Sequence, residues 1–577
     1  MNLLRQLNAQ RIRKITEDAP AAFVPAKWRP YVFNSEDLID RHYYELCALF
    51  ELRNALRSGN IWLDSSRRYA NPESYLIPRD QWPLLRSEVC RQLAVPVDAA
   101  KRLEERETEA EEMLSRVERM LPGNDKIRIE RGNVVITPIA GQGKPESAEI
   151  LGSMIDQRLP VVELGEILIE TDRWTQFSQY FEHAGGSEPR NQEFLPHLYA
   201  SLLAQGCNLG FSKIGQMTGL TYKRLAWYTN WYLREETLKS ANDALVNFQY
   251  HQPLSRLWGG GVLSSSDGQR FPASGKVSNA TALPRYFGYG KGVTFYSWTS
   301  DQFSQYGSRV IPTTVRDATY VLDAILDNET ELQILEHTTD TAGYTELLFA
   351  LFDLLGMMFS PRIRDIGDQQ LYRIDRLQRY PNLATRIKGS INRGLILQHM
   401  DDILRVAGSL KLGWVTSSLL ISKMRSYPRK SALVLAMQEY GRLIKTIFIL
   451  RYLENEAYRR RIEVQLNKGE AIHALRRTLF FAHEGKIRRK QEEEQNNQAL
   501  CLTLLTNAVI AWNTVYMQAV IEQLRTEGHP VQEQDLVHLS PARYEHINQY
   551  GRYRFELDVE LNRNRLRPLR TPHAMFT

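Results

Sequence analysis

Apolar residues recur at three- and four-residue spacing through LIDRHYYELCALFELRNAL, Leu38 to Leu56. That is the period of one helical face, opened by Ser35-Glu36-Asp37 and stopped near Gly59. The period continues in KRLEERETEAEEMLSRVERML, Lys101 to Leu121, a helix whose interleaved charges read as a solvated face and which Pro122-Gly123 ends. Alternation takes over in KIRIERGNVVITPIA, Lys126 to Ala140, where polar and apolar positions on both sides of Arg131-Gly132-Asn133 predict a hairpin. Helical spacing then returns as far as residue 258. Within it, NLGFSKIGQMTGLTYKRLAWYTNWYL predicts two short helices about Gly219, a helix-turn-helix pattern with Tyr222, Lys223 and Arg224 at the start of the second. Helix pairs that never meet DNA share that glycine turn.

The character changes at residue 259. GVLSSSDGQRF, GYGKGVTFYSWTS and ELQILEHTTDTAG read as strands, with a helix, RDATYVLDAILDN, between the second and third. After Asp340 come the apolar helix YTELLFALFDLLG and a short MFSPRIRDIG, and residues 370 to about 520 return to long helices. A mixed sheet assembled as strand, strand, strand, helix, strand makes the first and fourth strands neighbours. Asp267 and Asp340, read as strand-end residues, would then emerge side by side.

Composition narrows the picture only slightly. At 577 residues the chain exceeds one core and suggests about three to four domains. The most apolar stretches, Leu347 to Phe359 and Ala508 to Ala519, are interrupted by Asp353 and Asn513 and fall short of a membrane span. MNLLRQLNAQRIRKI lacks the continuous apolar segment of a secretory signal, so a cytoplasmic location and no membrane partner are expected. Cys47, Cys90, Cys207 and Cys501 are scattered without metal-site spacing and read as buried thiols. A net charge of +6 permits a polyanionic partner without requiring one. GQGKPES, Gly141 to Ser147, lacks phosphate-loop spacing, and Pro145 after its lysine argues against the helix start such a loop needs.

Two neighbouring carboxylates repel, and a divalent cation is the usual remedy. A third is offered by Glu470, read as lying on the first turn of the helix in LNKGEAIHALRRTLFFAHEGKIRRKQEEEQ. Arg476, Arg477, Lys486, Arg488, Arg489 and Lys490 follow, some at helical spacing that shares a face with Glu470 and so suited to a phosphate backbone. Each acidic residue also has an ordinary structural reading. Asp267 before Gly268 fits a turn, Asp340 fits a helix N-cap and Glu470 fits a helix start. His337 and His473, three residues from Asp340 and Glu470, read either as site residues or as structural histidines. Trp227, Tyr228, Trp231 and Tyr232 read as core rather than as a base-stacking platform.

SSSDGQRF, HTTDTAGYTELLFALFDLLG, LNKGEAIHALRRTLFFAHEGKIRRKQEEEQ, LLTNAVIAWNTVYM and LSPARYEHINQYGRYRF, in this order, resemble the signature blocks of Tn-3 family transposases. The resemblance extends over nearly the whole chain. It implies an α/β core of RNase H-like type, a mixed sheet with flanking helices, joined to a helical insertion and mostly α-helical N-terminal domains. It divides the chain into a helical region (1–122), a hairpin and helical region with possible DNA contacts through Lys223 and Arg224 (123–258), the first part of the core (259–369), the insertion (370–460) and the rest of the core (461–577). Asp267, Asp340 and Glu470 fall on the three acidic positions of the family, as catalytic residues binding two Mg²⁺ ions for which Mn²⁺ can substitute. The implied activity is nicking of double-stranded DNA at transposon ends and 3′-hydroxyl strand transfer into target DNA, by a homodimer associated with the bacterial nucleoid. Family members carry a long N-terminal region that reads the terminal inverted repeats, and the chain is expected to begin after most of it. A truncated, non-catalytic DNA-binding or regulatory remnant is therefore the alternative.

Overall fold

Val293, Phe295, Tyr296 and Trp298 are all nearly inaccessible to solvent, so the strand carrying them has neighbours on both edges and cover on both faces. In a computed structural model it is the second strand of a six-stranded mixed sheet. The structure describes residue 9 and residues 14–571 except 17, 34–37, 59–60, 62, 64–70, 125, 131–132, 138–142, 187–192, 276, 278, 375–378, 427–430 and 556–565. The expected helix opening at Ser35-Glu36-Asp37, its stop at Gly59, the hairpin turn at Arg131-Gly132 and the first two residues of GQGKPES lie outside the described residues.

The chain divides into two units. One comprises residues 1–108 and 390–443. Its helices Trp82–Gln92 and Arg393–Lys411 are joined by Trp82 Nε1 and Arg86 Nε, which donate to the two oxygens of Asp401 at 2.8 and 2.7 Å. The buried Arg405 guanidinium donates to the Ile77 carbonyl and to Glu73 Oε2 at 2.9 and 2.7 Å, which supplies the partners a buried cation requires. A satellite core gathers Ile15, Ala19, Val24, Val32, Tyr44 and Cys47.

The other unit comprises residues 109–389 and 444–577. Its helices include α1 (Leu164–Thr175), α2 (Gly210–Thr218), α3 (Tyr222–Tyr232) and α4 (Glu235–His251) before the sheet. The strands are β1 (Leu263–Ala273), β2 (Lys291–Ser300), β3 (Gln305–Pro312), β4 (Glu336–Thr339) and β5 (Met358–Phe359), with α5 (Glu346–Leu354) between the last two. Helices α6 (Glu456–Leu479) and α7 (Glu492–Thr526) follow. The sheet order is β3-β2-β1-β4-β5, with the two-residue strand Thr281–Ala282 also paired to β2. β1 is antiparallel to β2 and β2 to β3, whereas β4 lies parallel to both β1 and β5. The first and fourth strands are thus neighbours, and the class is mixed α/β as expected.

Several local readings change. RDATYVLDAILDN is a 3₁₀ turn, Asp317–Thr319, and one short helix, Asp323–Leu326, in place of a continuous helix. QYGSRVIP and MF are strands that sequence patterning did not mark, and a small sheet pairs Leu371–Arg373 with Ile387–Ser390 inside a region expected to be helical. A helix does begin at Glu146, directly after Pro145, because proline's missing N–H costs nothing at a helix start. The hairpin, Ile127–Glu130 with Asn133–Ile136, and the helix-turn-helix pair α2 and α3 form as expected. Gly219 closes α2 at φ +79°, a conformation that disfavours side chains with a Cβ.

Helix α7 runs through an extensive core, where Leu504, Ala508, Trp512 and Met517 have no exposed surface. It contains an 18-residue window apolar enough to cross a membrane, which the interrupted runs had not suggested, but 94% of that window is buried within the protein. Glu170 of α1, itself 4% exposed, accepts hydrogen bonds from Trp512 Nε1 at 2.9 Å and Tyr516 Oη at 2.8 Å, and pairs with Arg567. It ties α1, α7 and the segment carrying Arg567 together.

Burial, with the charges of Glu329 and Asp327, pushes the Asp243 carboxyl on α4 up to about 7, against the opposing pull of Lys239. Between about pH 4 and 7 the folded state holds a proton that the unfolded chain has released, so stability falls as pH rises through this window. Asp243→Asn is therefore expected to stabilise the protein at pH 8 by on the order of 2 kcal/mol, a gain that fades toward pH 4. Thermal melting across that range checks it, and a pH-independent difference contradicts it.

Candidate active site

Asp267 is not at a turn or a strand end. It sits mid-way along the 11-residue β1, facing Ser297 of β2. Gly268 follows because a Cβ there would come within 2.7 Å of Thr294 Cγ2, so the Asp-Gly pair reflects close packing across the sheet. The preceding serines divide by face. Ser264 and Ser266 hold His337 of β4 from both sides, at 2.7 Å to Nδ1 and 2.8 Å to Nε2. Tyr306 Oη donates to Ser264 Oγ at 3.0 Å, and Tyr296 Oη lies 2.7 Å from Ser266 Oγ. Alternation puts Ser265 and Asp267 on the opposite face, where they meet Thr299 and Ser297 across the ladder.

β1 and β4 pair from Leu263–Glu336 to Ser266–Thr339. The next register step brings Asp340 beside Asp267, and there the chain leaves the sheet. Asp340 also caps the 3₁₀ turn Thr341–Gly343 through Thr341 N at 2.7 Å, so its structural reading holds alongside its place at the site. The third carboxylate comes from α6, where Glu470 lies in the middle of the helix rather than on its first turn. α6 is fastened across the sheet by Gln465 Nε2, which donates to Ser265 Oγ (3.2 Å) and Thr299 O (3.1 Å), and by Gln269 Nε2, which donates to the His473 carbonyl (2.9 Å). Lys468 Nζ donates to the carbonyls of Trp258 and Asp301 at 2.8 and 2.7 Å.

Asp267, Asp340 and Glu470 line one polar pocket, together with Ser265, Ser297, Thr299, Arg362, Leu466, Gly469 and His473. Its volume of about 40 Å³ exceeds the ~10–15 Å³ that a single water needs. The carboxylates surround this space without touching. Among the described residues no three His, Cys, Asp or Glu side chains are close enough to share a metal ion. The surrounding protein pushes the Asp267 carboxyl up to about 6, helped by the charges of Asp317 and Asp340 and opposed by the Gly268 N–H and Arg270. Asp317 on the 3₁₀ turn after β3 is raised too, chiefly by burial.

His473 and His337 part company. His473 lines the pocket with Nδ1 3.7 Å from Asp267 Oδ2, and burial with the nearby Arg476 and Arg477 drives it down to about 3, so it stays neutral. His337 is wholly buried, also held down to about 3, and both of its nitrogens are taken by serines. Sequence patterning missed Arg362, Asp317 and the hydroxyl-bearing residues of β2. The strand that carries the chain to Arg362 is only two residues long, too short to alternate.

The basic candidates also separate. Arg476 has no exposed surface. It donates from one nitrogen to Gln305 and Thr503, and burial lowers it to about 9, so it packs α6 onto the sheet and cannot reach a phosphate backbone from there. Arg477, Lys486 and Arg488 are exposed, as are Lys223 and Arg224, with Arg224 paired to Glu193. Arg489 is partly covered and lies over the Phe211 ring. Of the aromatic cluster, Tyr228 and Tyr232 are core, whereas Trp227 and Trp231 are 37% and 39% exposed and His183 stacks on Trp231.

A mixed sheet and a crossing helix that bring three carboxylates to one pocket define the class of protein to which such a site belongs. Residues 166–553 match the Tn3 transposase DDE domain, and the chain belongs to that family. It is 42% identical over 574 residues to the transposase for transposon Tn501 of Pseudomonas aeruginosa and 40% identical over 573 residues to the transposase for transposon Tn21 of Escherichia coli. Each alignment covers 99% of this chain and 58% of the relative. The transposase for transposon gamma-delta of Escherichia coli K12 is 37% identical, over 99% of this chain and 57% of its own length. The chain thus spans a little over half the length of the curated relatives it matches.

Proposed function

We propose that the chain carries the catalytic core of a DDE transposase, an RNase H-like unit that nicks double-stranded DNA at transposon ends and joins the resulting 3′-hydroxyl to target DNA. The observation that carries this reading is the convergence of Asp267, Asp340 and Glu470, from β1, the end of β4 and α6, on one pocket within a Tn3 transposase DDE domain. The donor set fits Mg²⁺ in its chemistry: hard carboxylate oxygens, of which the Asp267 carboxyl is raised chiefly by burial, with help from the charges of Asp317 and Asp340. Asp267 and Asp340 would hold two Mg²⁺ ions between them and Glu470 would complete one site. When bound, the metal supplies an activated oxygen nucleophile and a charge sink for the leaving oxygen. The protein's own part is positional. Gln465 and Lys468 fix α6 against the sheet, and neutral His473 stands beside Asp267 without competing as a cation. Arg477, Lys486 and Arg488, with Lys223 and Arg224 on the helix-turn-helix, are the proposed contacts to the DNA backbone. Two transposon ends call for two such sites, hence a homodimer.

A precleaved DNA end incubated with the protein, supercoiled target and Mg²⁺ is expected to yield joined product. Chelation should abolish joining, and Mg²⁺ or Mn²⁺ should restore it. DNA that is bound but neither nicked nor joined under these conditions overturns the reading in favour of a non-catalytic DNA-binding protein.

A further inference from the structure

Among the described residues lining the pocket, Arg362 alone carries a permanent positive charge. Its backbone is held on both sides. β5 continues alongside β4, with Ser360 N donating to His337 O at 2.9 Å and Arg362 N to Thr339 O at 2.8 Å, while Thr341 Oγ1 donates to the Arg362 carbonyl at 3.2 Å. That register sets Arg362 beside Asp340, and its Nη2 meets Asp340 Oδ1 at 3.0 Å. The two side chains are 41% and 52% exposed, so the pair is solvated and easily exchanged.

A guanidinium on a carboxylate oxygen that is also wanted by a divalent cation has two consequences. It competes with the metal for the negative charge of Asp340, and once released it stays in the pocket with its planar donor fork available to another oxyanion. The oxyanion that a phosphoryl-transfer site receives is the phosphodiester. We propose that Arg362 is an exchangeable counter-ion, which neutralises Asp340 in the metal-free protein and, displaced by the divalent cation, binds a non-bridging oxygen of the scissile phosphodiester. This inference rests on the transposase reading, from which its test is separable.

Arg362→Gln removes the charge from a half-exposed position, so melting should be unchanged. Two measurements decide. Calorimetric titration with Mn²⁺ alone, without DNA, should show several-fold tighter binding in the variant, because no guanidinium competes for the Asp340 carboxylate. Strand transfer at saturating metal should fall about 100-fold or more through kcat, since the phosphate loses its charged donor. Arg362→Lys should restore part of the transfer. Unchanged Mn²⁺ affinity, or unchanged transfer, in Arg362→Gln overturns the assignment to Arg362. A wild-type protein that neither binds Mn²⁺ nor transfers strands overturns instead the functional reading beneath it.

Discussion

Asp267→Ala is expected to reduce strand transfer by at least about 10³-fold, as the loss of a group that stabilises the transition state through metal or charge does. The stability cost should be small. The side chain is 47% exposed, and its contacts are a hydrogen bond from the adjacent Gly268 N at 2.7 Å and the 3.7 Å approach of His473. β1 keeps its ladders to β2 and β4 because these use backbone groups alone. Melting temperature should therefore not fall below that of the parent protein, DNA binding should match it, and Asp267→Asn should lose transfer alike because an amide cannot replace a charged ligand. Transfer that survives in Asp267→Ala, or a loss that tracks a fallen melting temperature, would sink the proposed role.

The largest stability effect is expected at Glu170, far along the chain from the acidic motifs. Truncation to Ala leaves the Trp512 and Tyr516 donors unpaired and strips Arg567 of its buried partner. Each of the two buried donors left unpaired costs about 1–3 kcal/mol, while Arg567 keeps Glu166 as a partner at 2.9 Å. Glu170→Gln retains an acceptor oxygen and should lose less. Denaturant unfolding followed by tryptophan fluorescence reads the change, and a difference under about 1 kcal/mol would show that the cluster is solvated on the surface rather than structural.

Much of this architecture was legible in alternation and helical period. The strands that carry Asp267 and Asp340, the hairpin and the helix-turn-helix pair follow from local patterning, and the adjacency of the two strands follows from the topology assumed for a mixed sheet. What was hidden depends on tertiary placement. Asp267 before glycine reads as a turn because nothing local records that Thr294 crowds the next position. Glu470 looked like a first-turn residue, yet the preceding EAYRRRIEVQL belongs to the same helix. Arg476 and Arg477 are adjacent and chemically identical, but the turn of α6 sends one into the core and the other into solvent. Arg362 could be placed only once β5 was known to run beside β4.

The three serines before Asp267 have a further consequence. In a strand whose successive side chains alternate between faces, slipping by one residue would carry Asp267 away from α6 and leave His337 facing the wrong hydroxyls. His337 is satisfied only when Ser264 and Ser266 bracket it. The buried imidazole is therefore satisfied in the same register that sets Asp267 beside Asp340.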